Sequence, residues 1–201
     1  MLDQTSPSSR PPSRLGRPFD AAQGAMATQK GLPPFILRSA VPADTEALGE
    51  MLLDAYTRGL AHDYAPNVIA AALPVISAPK ERLIRSGTYF VADAGGGRLL
   101  AAGGWSWSGP VGGVAPKDTA HIRHLVVGAG FGGQGVGRLM LSHIRASAAR
   151  AGVRRLSCTC TLSAAGFYEA QGFVRRCDVA LTLGPGLSFP AVQLEGLAAE
   201  P

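Results

Sequence analysis

The run His121-Ile122-Arg123-His124-Leu125-Val126-Val127-Gly128-Ala129-Gly130-Phe131-Gly132-Gly133-Gln134-Gly135-Val136-Gly137-Arg138-Leu139 decides the fold. It begins as a strand, loosens into glycines, and then takes up a helical period. Val136, Met140, Ile144 and Ala148 form one i+4 row, which Gly152 stops. Two histidines and an arginine occupy the upper half of the strand, above an apolar lower half. That division points to an upper end opening into a cleft. Six of the chain's 26 glycines lie between Gly128 and Gly137. Glycine lets a backbone take positive φ and approach a ligand closely, and a new helix presents unpaired N–H groups. A loop of this kind is an anion site, with phosphate the usual occupant.

Two general nucleotide patterns fit it poorly. Gly128, Gly130 and Gly133 satisfy G-x-G-x-x-G, but a run this rich in glycine satisfies many patterns by chance. The dinucleotide fingerprint also wants an acidic residue about 20 positions on, and none lies between Asp118 and Glu169. A P-loop fails because no Lys-Ser/Thr pair follows the glycines. A tight strand-to-helix connection without a ligand is the plain structural alternative.

Outward from this unit the spacing predicts an α/β chain. Strands are expected at 35–39, 88–92, 99–108, 119–127, 154–161, 173–183 and 189–194. Helices are expected from Pro42 to near Gly59, from Pro66 through Ile76, from Pro79 to Arg85, and over 135–151 and 163–170. Gly95-Gly96-Gly97 makes a hairpin turn. Hairpins combined with βα crossovers give a mixed sheet, without internal repeats.

The chain has 201 residues, 16% of them charged and 46% hydrophobic, enough for a real core. Residues 1–30, where Pro7, Pro11, Pro12 and Pro18 alternate with serines and arginines, are expected to form a disordered tail. Met26 is an alternative start. From Gly31 the domain carries 15 basic and 12 acidic residues, so +3 of the total +5 belongs to it. No dense basic run marks a nucleic-acid partner, and no apolar stretch approaches the ~18 residues of a membrane span. Cys158, Cys160 and Cys177 are too few for a disulfide framework and point to a reduced, cytoplasmic setting. They also lack the second Cys/His pair of a zinc site, so no metal is expected.

Two motifs in register carry a resemblance. Gln134-Gly135-Val136-Gly137-Arg138-Leu139 resembles the R/Q-x-x-G-x-G/A motif of the GNAT acyl-CoA N-acyltransferase superfamily. Ala164-Ala165-Gly166-Phe167-Tyr168-Glu169-Ala170-Gln171-Gly172-Phe173 is similar to its A-x-x-F-Y-x-x-x-G-F segment. The likeness covers residues ~35–195, within a domain taken as 31–201. It implies a mixed, mostly antiparallel central sheet with a splayed strand and flanking helices. It also implies acetyl transfer from acetyl-CoA, as co-substrate, to a primary amine by direct attack. A non-catalytic acyl-CoA-binding regulatory module on the same fold is the alternative. By this resemblance Leu125, Val126 and Val127 hold pantetheine, while Gly132, Gly133, Gln134, Gly135, Val136, Gly137 and Arg138 cradle the pyrophosphate. The sequence departs at Gly132, where the family carries Arg or Gln, and at Ala129, where proline is frequent.

The resemblance assigns Tyr168 as the acid for the departing thiolate and the Val127 N–H as oxyanion donor. His121 stands where several members carry a base, with His124 the second candidate. Tyr56, His62, Asp63 and Tyr64 fall in a segment that commonly shapes acceptor binding, and Asp63 could pair with an ammonium group. Trp105 and Trp107 share a strand face and could wall that pocket or belong to the core. His62 and His143 read as loop and helix-surface residues. An acyl relay through a cysteine is a further alternative. The acceptor is a small-molecule or peptide amine, and the reading leaves room for a homodimer.

Overall fold

The computed structural model describes residues 26–27, 31–109 and 116–199. Strand β1 (Met26–Ala27) pairs antiparallel with β2 (Phe35–Ser39), so a short piece of the expected tail joins the sheet. Residues 1–25 and 28–30, on which the rest of that expectation falls, lie outside the described residues. Helices α1 (Thr45–Leu60), α2 (Pro66–Ile76) and the short α3 (Glu81–Ile84) follow. Strands β3 (Tyr89–Asp93), β4 (Leu99–Ser106) and β5 (Thr119–Val127) then form a meander. Helix α4 (Val136–Arg150) crosses over to β6 (Arg155–Cys160). A short α5 (Ala165–Glu169) leads into the hairpin of β7 (Val174–Gly184) and β8 (Leu187–Leu197).

Local chemistry sets several of these boundaries. Pro66 opens α2, where its missing N–H costs nothing and its fixed φ suits the first turn. Asp44 pins the start of α1 to the sheet. Its Oδ2 accepts from Val41 N–H at 2.8 Å, and both its oxygens accept from the Arg38 guanidinium at 2.7 Å. Arg38 also donates to Asp93 at 2.9 Å, joining β2, β3 and the helix entry. Burial pushes the Asp44 carboxyl up, but the bonds from Arg38 and Val41 outweigh it and hold the group below its ordinary value.

The sheet runs β1-β2-β3-β4-β5-β6-β8-β7, antiparallel everywhere except between β5 and β6. Those two are joined through α4 as a βαβ crossover, which requires parallel strands. Helix α4 covers one face. Val136, Met140, Leu141, Ile144 and Ala148 all pack into the main core beside Leu100, Ile122 and Leu156. The other face takes α1, whose Leu48, Met51 and Leu52 meet Tyr89, Val91 and Val126. A third cluster ties α1 and α2 to the β7–β8 hairpin through Leu60, Tyr64, Ala72 and Phe189. Each fully buried Leu, Ile or Met contributes about 1.5–3 kcal/mol relative to exposure, so both faces are held firmly around the sheet's centre.

Two irregularities interrupt that centre. Pairing between β5 and β6 covers Thr119↔Arg155, Ala120↔Leu156 and His121↔Ser157 and stops there. Both strands continue, to Val127 and Cys160, while β6 stays paired to β8. The sheet therefore opens into a V. The second irregularity is a bulge in β5. Its register against β4 shifts between Ala102↔Val126 and Gly104↔Arg123, which inserts one extra residue at His124–Leu125.

Candidate active site

His124 sits in that bulge with φ of 42°, the one positive φ at a non-glycine position among the described residues. A strained conformation of this sort persists only where surrounding structure holds it. Here Tyr89 Oη donates to the His124 carbonyl at 3.3 Å, and the His124 ring Nδ1 lies 3.1 Å from Tyr56 Oη. Burial, with Arg123 and Lys80 nearby, lowers the imidazole to a pKa of about 4. His124 is neutral at physiological pH. Burial also drives the Tyr56 phenol well above its ordinary value, so that group keeps its proton.

The mouth of the V is a cavity of about 380 Å³. Its β5 wall is Ile122, Arg123, His124 and Leu125, and its β6 wall is Cys158, Thr159, Cys160 and Thr161. Tyr56, Val75, Ile76 and Lys80 close one side, and Leu181, Leu183 and Phe189 of the hairpin add an apolar flank. Ala164 and Tyr168 stand at the opposite, α5 end. Tyr168 is 4% exposed, with its ring edge-on to Phe167 and Phe173 at 5.2 and 5.4 Å. Burial raises its phenol well above the ordinary value, and its hydroxyl meets the Cys158 thiol. Cys158 and Cys160 project from one face of β6. The Cys158 hydrogen bond lowers the Cys160 thiol against the cost of burial, with Arg175 assisting, while burial pushes Cys158 up.

Past the bulge, Gly128 N–H donates to Leu100 O on β4 at 2.9 Å. Successive strand amides point to opposite edges, so the Val127 N–H is aimed across the gap toward β6. The chain then passes through Gly130, Gly133 and Gly135 at φ of 78°, 72° and 81° and enters α4 with Gly135 as its N-cap. No acidic residue occupies the first turn and no side chain caps it. Gly137 allows the helix to lie against the sheet, since a Cβ there would fall 3.2 Å from Val127 Cγ2. Helix N-terminus, glycine loop and open strand edge therefore adjoin one another, and an extended ligand with an anionic group fits that layout.

Residues 85–175 match the family profile described as acetyltransferase (GNAT) domain. That matched stretch, from just before β3 into the start of β7, is the part of the chain similar to the GNAT family. The chain's mixed, largely antiparallel sheet with splayed β5 and β6 is the GNAT arrangement. A GCN5-related N-acetyltransferase from Rhodopseudomonas palustris superposes with a TM-score of 0.64 at 18% identity, covering 88% of this chain and 99% of that one. The PaiA N-acetyltransferase of Thermoplasma acidophilum, solved with coenzyme A, gives 0.61 at 14% identity over 81% and 98%. The GNAT domain of S. lividans PAT gives 0.59 at 19% identity over 87% and 96%. No curated protein sequence matches the chain.

Placed on this GNAT scaffold, the residues expected to act divide into two groups. Tyr168, His124, Leu125 and Tyr56 meet at the cavity. His121 does not line it. It sits at the vertex of the V, paired with Ser106 and Ser157, with a pKa lowered by burial and Arg123. Trp105 does not wall the cavity either, because it points to the α4 face and is 3% exposed, with Nε1 donating to Ser147 Oγ at 3.1 Å. Trp107 meets it edge-on at 5.5 Å and is exposed. Asp63 is exposed on the turn after α1 and lines no part of the cavity. Tyr64 supports the cavity from behind: it stacks on Phe189 at 4.6 Å, donates to Pro190 O and accepts from Leu162 N–H. His143, expected on a helix surface, is half-buried with its ring against Phe90 at 4.5 Å. Arg123 belongs to the polar stretch of β5 that the sequence places at a cleft, though without a role of its own, and Lys80 carries no such signal.

Among the described residues, no helix is long and apolar enough to cross a membrane, and no cluster of three or more metal-ligating side chains occurs.

Proposed function

We propose that the protein transfers the acetyl group of acetyl-CoA to a primary amine by direct attack. The observation carrying this reading is the V between β5 and β6, with its bulge, Tyr168 at one end and His124 at the other. The pantetheine arm would run along Leu125, Val126 and Val127, whose outer edge has no strand partner beyond His121. The pyrophosphate would rest on the amides from Gly132 to Arg138. Arg138 is exposed beside this turn and offers a cation where Gly132 has no side chain to give.

In the reaction the amine nitrogen attacks the thioester carbonyl, and the oxyanion that forms accepts the Val127 N–H. Such a preorganised donor stabilises the charge that develops in the transition state. His124 takes the proton from the attacking nitrogen. In its Nδ1–H tautomer the ring donates to Tyr56 Oη, which leaves Nε2 as the acceptor. Collapse breaks the C–S bond, and Tyr168 protonates the departing thiolate. A buried phenol and a thiolate formed beside it share one poorly solvated site, where the anion is raised in energy enough to take the proton. Cys158, Cys160 and Cys177 are all free thiols, which supports a reducing, cytoplasmic setting.

The test is thiol release from acetyl-CoA by the full chain against a panel of amines. Acceptor-dependent release with N-acetylated product is expected. Binding of acetyl-CoA without turnover on any amine would identify a non-catalytic acyl-CoA module instead.

A further inference from the structure

The acceptor end of the cavity has a one-sided charge. Arg123 and Lys80 line it, and no Asp or Glu does. Arg123 Nη1 donates to Ser106 Oγ and to Ser108 O, both at 3.1 Å, and among the described residues no carboxylate pairs with it. A half-buried guanidinium held by neutral oxygens alone keeps further donors for a planar anion. The groups felt by Arg123 are Tyr89, Tyr56 and the neighbouring cation Arg82, so the charge around it is uncompensated. Glu169 lies near Cys160 at the far, α5 end and outside the lining. Apolar lining adjoins the cations: Val75 and Ile76 lie on the side of Lys80, whose Nζ donates to Val75 O at 3.3 Å, and Leu181, Leu183 and Phe189 come from the hairpin.

We propose that the amine acceptor carries a carboxylate, and that the cavity is built for a small amino acid with an apolar side chain. This rests on the acetyl-transfer reading above. The carboxylate meets Arg123 with Lys80 beside it, the apolar group lies on the α2 and β7–β8 wall, and the amine is left beside the β5 bulge. A polyamine or other multiply cationic acceptor would find no counter-charge and two like charges. The volume of about 380 Å³ must also hold the thioester end, which keeps the acceptor small. The same geometry bears on His124. An acceptor carboxylate beside Arg123 and Lys80 offsets two of the influences that keep the imidazole low, and so makes it a better base once substrate is bound.

The experiment compares L-leucine, L-leucinamide, 3-methylbutylamine and spermidine as acceptors for the full chain. It also compares binding of N-acetyl-L-leucine and N-acetyl-L-leucinamide to the CoA-loaded protein. A charged hydrogen bond of this class corresponds to about 10- to 100-fold in affinity. The carboxylate product should therefore bind at least about tenfold tighter than the amide, and leucine should show the higher kcat/KM. The ammonium of leucinamide loses its proton more readily, which favours the amide in turnover, so a preference for leucine is decisive. In Arg123→Gln, and more weakly in Lys80→Gln, the acid-to-amide ratio should fall toward one. Because this is a ratio within each variant, loss of overall activity does not mimic it. Equal binding of both products, no binding of either, or preference for spermidine overturns the proposal. Failure of acetyl-CoA to bind without any acceptor is a separate result, and it speaks against the acyltransfer reading itself.

Discussion

Replacing Tyr168 by Phe removes one oxygen from the cavity and little else. The ring keeps its edge-on contacts to Phe167 and Phe173, and the site stays 4% exposed or less. The lost partner is the Cys158 thiol, a weak acceptor, so the stability cost sits at the low end of a hydrogen bond, about 0.5–1 kcal/mol. For a domain of this length that lowers Tm by no more than about 4 °C. The glycine loop and the β5 edge are untouched, so affinity for coenzyme A should stay within about twofold. Turnover should not. A positioned general acid contributes about 10²- to 10⁴-fold, and among the described residues that line the cavity beside Cys158 and Cys160, Tyr168 is the fully buried O–H, Thr159 and Thr161 being half-exposed. Single-turnover thiol release, with the Kd for coenzyme A measured calorimetrically on the same preparation, separates the two quantities. A variant that releases thiol within about threefold of the parent refutes the acid role.

Three further outcomes rest on the packing around the site. The His124 pKa is about 4 in the fold against an ordinary 6.5, so the unfolded chain binds the proton first as pH falls. Stability is then fully present above pH 6.5 and is lost toward pH 4, by at most about 3 kcal/mol from this residue; urea titrations from pH 7.5 to 4.5 should show a slope that His124→Gln flattens, and an unchanged slope contradicts the placement. Cys160 lines the cavity with a lowered thiol pKa, whereas Cys158 is buried and raised. Mass-spectrometric mapping should find Cys160 alkylated by N-ethylmaleimide and protected by acetyl-CoA, exposed Cys177 unprotected, and Cys158 slow. Gly104→Ala should destabilise by about 3 kcal/mol or more, since its Cβ would lie 2.3 Å from the Thr88 carbonyl oxygen; a melting curve like that of the parent is the contrary result.

Much of the fold could be read from local sequence. Pro66, Gly135 and Gly152 mark helix ends by backbone chemistry that acts within a few residues, and β5 alternates buried and half-buried positions from Ala120 to Arg123. The glycine loop stands out for the same reason. What local reasoning could not supply is the direction of side chains beyond a bulge. The extra residue at His124–Leu125 reverses the parity of β5, so the sequence, which puts His121 first and His124 second, cannot say which of them faces the cavity until the register against β4 is known. The apolar flank of the cavity is also non-local. Leu181, Leu183 and Phe189 reach it because β8 inserts between β6 and β7, a strand order no short window encodes. Trp105 and Asp63 have suitable chemistry for an acceptor pocket, but they face the α4 core and the outer turn.

The central claim is that the opened edge of β5, the glycine loop and the start of α4 form a site for an acyl-CoA thioester. Calorimetric titration of acetyl-CoA into the full-length protein, without acceptor, addresses it most directly. The account predicts saturable binding with one molecule per chain, weakened at least tenfold by Gly135→Val, whose branched side chain cannot easily adopt the φ of 81° that starts α4. Absence of saturable binding to the parent protein, or equal affinity in that variant, would contradict it.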